Sequence, residues 1–304
     1  MNGVGGLAAW QWLFILEGIP TVIGLALPFV MVDYPEVAPW LNEQERAYSL
    51  QRFQADANKE ANGSGIDWQQ VHTALTDYKT YISVLINFGI VMPSFSLSYL
   101  LPTIIQGMGF TVLTAQLLTS PICIFGALVA IANAYHSDRT GERAYHVVVP
   151  GLVSLTGYLL LVILKGQWAR YALIFVVIGG LYACNPVNLS WATNNSLGKS
   201  TAAVTSAMVL CLANLGGFLA GQMYRDYEAP DYIPSHLGNT VCLLVTAGMS
   251  LLLRHILVRE NHLIDQWLLA HGASKADERN TKLSPTMATR PAALAHDPLF
   301  RFTL

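Results

Sequence analysis

Residues 171–193 read YALIFVVIGGLYACNPVNLSWAT, a run without a single Asp, Glu, Lys or Arg. A hydrocarbon core about 30 Å thick is crossed by about 20 predominantly apolar residues in helical geometry, so length and content make this run a transmembrane helix. Working outward, the same criterion marks six more spans: Trp12–Val32, Tyr81–Ile104, Thr111–Tyr135, Ala144–Leu164, Ala202–Tyr224 and Leu237–Val258. Their only charges are Glu17 in the first and Arg254 near the end of the last. The expected fold class is an all-α membrane protein with seven transmembrane helices.

Composition points the same way. Hydrophobic residues make up 53% of the 304 and charged residues 12%, roughly half the charged share of a soluble globular chain. The formal net charge of −2 offers no basic face for a nucleic-acid partner. Cys123, Cys184, Cys211 and Cys242 all fall inside spans, with no spacing that suggests a metal site or an exterior disulfide, and read as apolar packing residues. No His, Asp or Glu cluster lies within the membrane, which argues against an enzyme; no metal or other cofactor is expected. The first residues lack a charged n-region and a small-residue cleavage site, so span one is expected to be a signal anchor rather than a removable leader.

Thirteen Lys and Arg fall on one side of the spans, among them Arg46, Arg52, Lys59, Lys79, Arg139, Arg143 and Lys199, and only Lys165, Arg170 and Arg225 on the other. Positive residues mark the cytoplasmic face. The C-terminus is therefore expected inside and the N-terminus outside, and the sequons at Asn62, Asn188 and Asn194 are expected to carry no glycan.

The spans divide the chain into residues 1–32, a polar loop at 33–80, a six-span body at 81–258 and a tail at 259–304. In the loop, Asn42-Glu43-Gln44-Glu45 reads as a capping box. It opens a short amphipathic helix carrying Leu41, Ala47, Leu50 and Phe53 at helical spacing. Residues 56–65 read as a flexible link, and Asp67 as the cap of a second helix. The tail, with Pro285, Pro291 and Pro298 and no periodicity, reads as disordered towards its end.

Several stretches resemble a known family. Trp10-Gln11-Trp12-Leu13-Phe14-Ile15-Leu16-Glu17-Gly18-Ile19-Pro20 is similar to the sixth-helix signature of the anion:cation symporter branch of the major facilitator superfamily, which includes fungal allantoate, nicotinate and pantothenate permeases. Pro35-Glu36, Trp40-Leu41-Asn42-Glu43 and the segments Asp67-Trp68 and Leu75-Thr76-Asp77-Tyr78-Lys79-Thr80 resemble its central loop. Ser137-Asp138-Arg139-Thr140-Gly141-Glu142-Arg143 resembles the loop that recurs after the second and eighth helices. Asn194-Asn195, Asn214-Leu215-Gly216-Gly217, Gln222-Met223-Tyr224-Arg225 and Ala229-Pro230-Asp231-Tyr232 extend the likeness over roughly residues 3–265. Ala134 stands where a glycine is usual, and Glu142 where a basic residue is usual.

The resemblance implies a twelve-helix fold of which this chain holds helices six to twelve, the first five being absent. A truncated form of a small-organic-anion transporter, proton-coupled when intact, is the expectation, with no uptake above background by this chain alone. Such a cavity lies between two halves at the bilayer midplane, so this chain supplies one wall and needs an N-terminal half for the other. The partners implied are membrane lipid, a small organic anion and H+, and the location an integral membrane protein of the plasma membrane.

Within that frame, uncharged polar groups are the candidates for the solute pathway: Asn87, Ser94, Ser96 and Tyr99 in the second span, Tyr182, Asn185 and Asn188 in the fifth, and Asn214 in the sixth. Asn185-Pro186 is the sharpest, because a proline frees a carbonyl and permits a helix break facing a cavity. The other reading is that these amides bond between helices. The resemblance gives Asp138, Arg139, Gly141 and Arg143 a gating role, against an ordinary charged turn. Glu17, the one acid inside a span, is a candidate proton or interfacial site. Gly217 and Gly221 form a small-xxx-small pair suited to close packing. Trp10, Trp12, Trp168, Tyr171 and Tyr224 read as interfacial anchors.

The rival is a seven-helix receptor, with Asp138-Arg139 after the third span. The Asn-Pro in span five rather than seven, the exterior loops without cysteine and the long first loop speak against it.

Overall fold

The computed structural model describes residues 3–24, 38, 40–49, 66–107, 109–196, 198–225, 228, 231–270 and 302–304. The chain forms two compact units, Met1–Asn62 and Gly63–Leu304. The break falls inside the stretch that the sequence presents as one loop.

In the first unit a 3₁₀ turn, Val4–Gly6, leads into α1, Ala9–Gly24. The Gln11 side chain accepts from the Ala8 N–H at 2.8 Å, satisfying one of the helix's first donors. Trp12 donates its indole N–H to the Val4 carbonyl at 2.9 Å. Trp10, Leu13, Phe14, Ile15, Leu16, Ile19 and Val22 are exposed on this unit, a surface suited to lipid or protein rather than water. The remainder of the expected first span, residues 25–32, lies outside the described residues. One half of the expected capping box is present: the Asn42 N–H donates to Glu45 at 3.0 Å, and residues 43–49 are helical. Leu50, Phe53, the 56–65 link and the Asn62 sequon lie outside the described residues.

The second unit opens with α2, Trp68–Thr76, whose cap Asp67 accepts from the Gln69 and Gln70 N–H groups. Six long helices follow: α3 Tyr78–Gly107, α4 Val112–Thr140, α5 Tyr145–Ile163, α6 Gln167–Asn194, α7 Lys199–Ala220 and α8 Ile233–Ala270. All six are long and apolar enough to cross a membrane, matching the six expected spans after the first. The largest overshoots are in α4, which runs to Thr140, and α8, which continues well past Val258 to Ala270.

Successive helices alternate in direction. One end of the unit gathers the starts of α3, α5 and α7 with the ends of α4, α6 and α8. There Lys79 pairs with Glu260 at 2.9 Å and Arg254 with Glu142 at 3.0 Å. At the opposite end Arg170 pairs with Asp231 at 3.3 Å. Charge is thus confined to the two ends, as a lipid-spanning body requires.

Close backbone approach sets the packing. A Cβ at Gly180 would fall on the Pro150 carbonyl and Ser154 Oγ of α5, and Ser154 Oγ donates across the same contact to the Val177 carbonyl at 2.8 Å. Of the expected pair on α7 only Gly217 meets another helix, and Gly216 joins it. Gly216 faces Met92 and Phe88, and Gly217 faces Phe95, whereas Gly221 meets only the carbonyl of its own Phe218. Between α3, α5, α6 and α8 lie buried Ile86, Ile90, Tyr158, Ile178, Leu181 and Trp191. α4 and α7 instead expose long apolar faces, including Leu117, Ile124, Leu128 and Ile131 on one and Leu215 and Phe218 on the other.

Residues 302–304 are packed against the charged end that holds the α4–α5 turn, with Phe302 only 5% exposed. Their main chain and the Phe302 ring find partners on the bundle. Residues 271–301 lie outside the described residues.

Candidate functional site

Asn87 on α3 and Asn188 on α6 are fully buried and meet. The Asn188 amide donates to Asn87 Oδ1 at 3.3 Å and to the Ser83 carbonyl at 3.5 Å; Asn87 donates to the Val209 carbonyl of α7 at 3.3 Å. Three helices are joined through two amides. Asn188 Oδ1 has no hydrogen-bond partner among the described residues, which leaves one buried acceptor available. The spacing of Asn87 and Asn188 along their own helices could not reveal this meeting; only the α3–α6 packing does.

A second polar seam lies nearer the Arg170–Asp231 end. Asn239 of α8 donates to Ser96 Oγ at 3.0 Å and to the Tyr224 hydroxyl at 3.2 Å, and that hydroxyl lies 3.1 Å from His236 Nδ1. Tyr158 donates to the Pro93 carbonyl at 3.1 Å. Ser96 was expected to be a candidate; Asn239, His236 and Tyr158 were not. An amide inside the last apolar span was the signal for Asn239.

The remaining candidates scatter. Ser94 bonds back to the Ile90 carbonyl of its own helix at 2.7 Å. Tyr99 is 59% exposed and stacks on Phe95 at 5.5 Å. Tyr182 and Asn185 are half-buried, Asn214 is exposed, and Glu17 is exposed in the first unit. α6 runs unbroken through Pro186. Asn133 of α4 donates at 2.9 Å both to the Ala183 carbonyl, three residues before the proline, and to the His146 carbonyl of α5. A cavity of about 20 Å³ lies among Thr80, Ser83, Asn195, Ser196 and Thr205, room for one water rather than a solute.

The Ser137–Arg143 turn is closed by Gly141, whose φ of 68° suits a residue without a Cβ. The Gly141 N–H donates to the Ser137 carbonyl at 3.0 Å, the usual left-handed helix cap. Asp138 pairs with Arg143 of the same turn at 2.7 Å, and Arg139 lies 4.6 Å over the Tyr135 ring. The unexpected connection is Glu142, which binds Arg254 on α8 through Nε at 3.0 Å and Nη2 at 3.4 Å. Where the family pattern has a basic residue, this chain has the acid that its own Arg254 needs. Among the described residues no three His, Cys, Asp or Glu side chains converge as a metal site would require.

Comparison with known proteins bears on what this arrangement serves. Residues 2–221 match the model of the Major Facilitator Superfamily. The chain is 31% identical over 277 residues to an uncharacterized transporter of Schizosaccharomyces pombe, covering 90% of this chain and 52% of that protein. It is 32% identical over 259 residues to the MFS transporter prlL of a fungal species, covering 84% and 52%. It is also 31% identical over 224 residues to a putative tartrate transporter of Agrobacterium vitis, covering 73% and 49%. The chain spans about half the length of these relatives.

Proposed function

Because this chain belongs to the Major Facilitator Superfamily, we propose that it supplies the carboxyl-terminal wall of a membrane transporter for a small organic anion. The match over residues 2–221, on a body with six helices of membrane-crossing length, carries the reading. The anion class draws support from the Agrobacterium vitis relatives named as putative tartrate transporters. It also accords with the anion:cation symporter likeness of the Trp10–Pro20 segment. The matched relatives are named as transporters, which leaves the receptor reading without support.

In this proposal solute is handled by uncharged polar groups, among them the half-buried Tyr182 and Asn185, while the fully buried Asn87–Asn188 pair joins α3, α6 and α7. The cation that an anionic solute calls for comes from five preceding helices, which also complete the cavity. Proton coupling, with Glu17 as candidate, and the gating role of Asp138, Arg139, Gly141 and Arg143 belong to the same proposal. So does a plasma-membrane location with the C-terminus cytoplasmic.

The test is uptake of radiolabelled tartrate and other small carboxylates into proteoliposomes. The chain alone is expected to give background, and the chain joined to the five preceding helices of a relative is expected to give uptake. Strong uptake by the chain alone would contradict the one-wall reading. A joined protein that ignores every carboxylate but moves neutral or cationic solutes would overturn the anion class.

A further inference from the structure

The last three residues of the sequence lie across the end of the bundle in the manner of a bound peptide. The Asn261 side chain of α8 clamps Phe302: its Nδ2 donates to the Phe302 carbonyl at 2.9 Å and its Oδ1 accepts the Phe302 N–H at 2.9 Å. Asn195, at the end of α6, does the same to the next residue, donating to the Thr303 carbonyl at 3.1 Å and accepting the Thr303 N–H at 2.7 Å. Trp191 adds its indole N–H to the Thr303 carbonyl at 2.8 Å, and the Arg143 N–H in the α4–α5 turn donates to the Leu304 carbonyl.

The geometry has the logic of an added strand. In extended chain, one residue turns its N–H and C=O to one side and the next turns them to the other. An amide side chain offers a matching donor and acceptor. Two asparagines on different helices therefore read consecutive residues from opposite sides.

Side chains add an anchor. Phe302 packs with the buried cluster of Ile86, Val147, Trp191, Leu253 and Leu257, and Leu304 packs against it. Lys79 Nζ stands 4.3 Å over the Phe302 ring while pairing with Glu260, a cation–π contact between α3 and the bound segment. Trp191 is fully buried, so its indole N–H needs an internal acceptor, and Thr303 provides it.

We propose that this end of the unit is a peptide-binding groove for an extended segment led by an aromatic residue. Its occupant is the chain's own Phe302-Thr303-Leu304, which straps α3, α6, α8 and the α4–α5 turn together. Four elements that carry no covalent link at this end are held by one removable segment.

Amide hydrogen exchange on the full chain in nanodiscs tests it directly. The Phe302 and Thr303 amides are expected to exchange at least about tenfold more slowly than free peptide, since each is bonded to a half-buried asparagine side chain, Asn261 and Asn195. Two variants separate the groove from the fold. Phe302→Ala alters only the tail, and Asn195→Ala with Asn261→Ala removes both clamps. Each is expected to return the two amides to the free-peptide rate, while Phe302→Ala leaves mid-helix protection in α6 unchanged. Free-peptide exchange in the unaltered chain overturns the proposal, and so does protection that survives both variants.

Discussion

Arg254 reaches from α8 to the α4–α5 turn and holds the Glu142 carboxylate with two guanidinium nitrogens, at 3.0 and 3.4 Å, while its guanidinium carbon lies 4.6 Å over the Tyr145 ring. Both partners are less than one-third exposed, so the pair is screened less than a surface ion pair. Glu142→Gln is expected to destabilise the second unit by about 1 kcal/mol in detergent melting experiments. Arg254→Lys is expected to cost nearly as much, because an ammonium neither forks onto a carboxylate nor stacks flat on tyrosine. Exchange of the two charges, Glu142→Arg with Arg254→Glu, is expected to recover part of the loss. A swap no better than the worse single variant would show that the pair is incidental.

Asn87 and Asn188 are expected to behave as a coupled pair. Asn87→Ala removes the acceptor of the Asn188 amide and leaves it only the 3.5 Å contact to the Ser83 carbonyl. Asn188→Ala leaves Asn87 its bond to the Val209 carbonyl, so Asn87→Ala is the costlier change. Interhelical polar bonds in membranes average about 0.6 kcal/mol, and the double-mutant cycle is expected to give a coupling of that order. Strict additivity in reversible unfolding in mixed micelles would refute it.

How far the sequence carried is clearest from such pairs. The spans were legible because lipid imposes charge-free runs of fixed length, and the Asn42 and Asp67 caps because their partners lie two or three residues away. Ser96 with Asn239, 143 residues apart, and Asn133 with the Ala183 carbonyl were not legible, since each depends on which helices become neighbours. The docked segment was the least visible of all. Asn195 and Asn261 read main-chain groups, which every residue shares, so nothing in Phe302-Thr303-Leu304 announces a ligand. The contact of Asn133 with the Ala183 carbonyl, three residues before Pro186, was hidden for the same reason: it depends on α4 lying beside α6.

Gly180 and Gly248 should separate close packing from helix propensity. Both lie inside long helices, but a Cβ at Gly180 collides with the Pro150 carbonyl and Ser154 Oγ, whereas one at Gly248 meets nothing within 4 Å. Gly180→Ala is expected to cost about 1–3 kcal/mol, as overpacking of a rigid contact does. Gly248→Ala is expected to be neutral or to stabilise by up to about 1 kcal/mol through helix propensity. Equal melting temperatures for the two variants would remove the α5–α6 contact from the account of packing.

The Ser137–Arg143 turn gives the last prediction, and it distinguishes geometry from charge. Gly141 sits at φ 68° with open space around its Cα, so any cost of substitution is conformational. Gly141→Val is expected to cost about 1–2 kcal/mol, the penalty of the left-handed region for an L-residue, while Gly141→Asn, which tolerates that region, costs less than half as much. Because the turn places Glu142 against Arg254 and the Arg143 N–H against the Leu304 carbonyl, Gly141→Val is also expected to speed exchange at Phe302 and Thr303. Asp138→Asn removes the 2.7 Å pair with Arg143, but Asp138 is 64% exposed, so its effect on stability is expected to stay below about 1 kcal/mol. A larger stability loss from Asp138→Asn than from Gly141→Val would mean that charge, rather than backbone geometry, holds this turn.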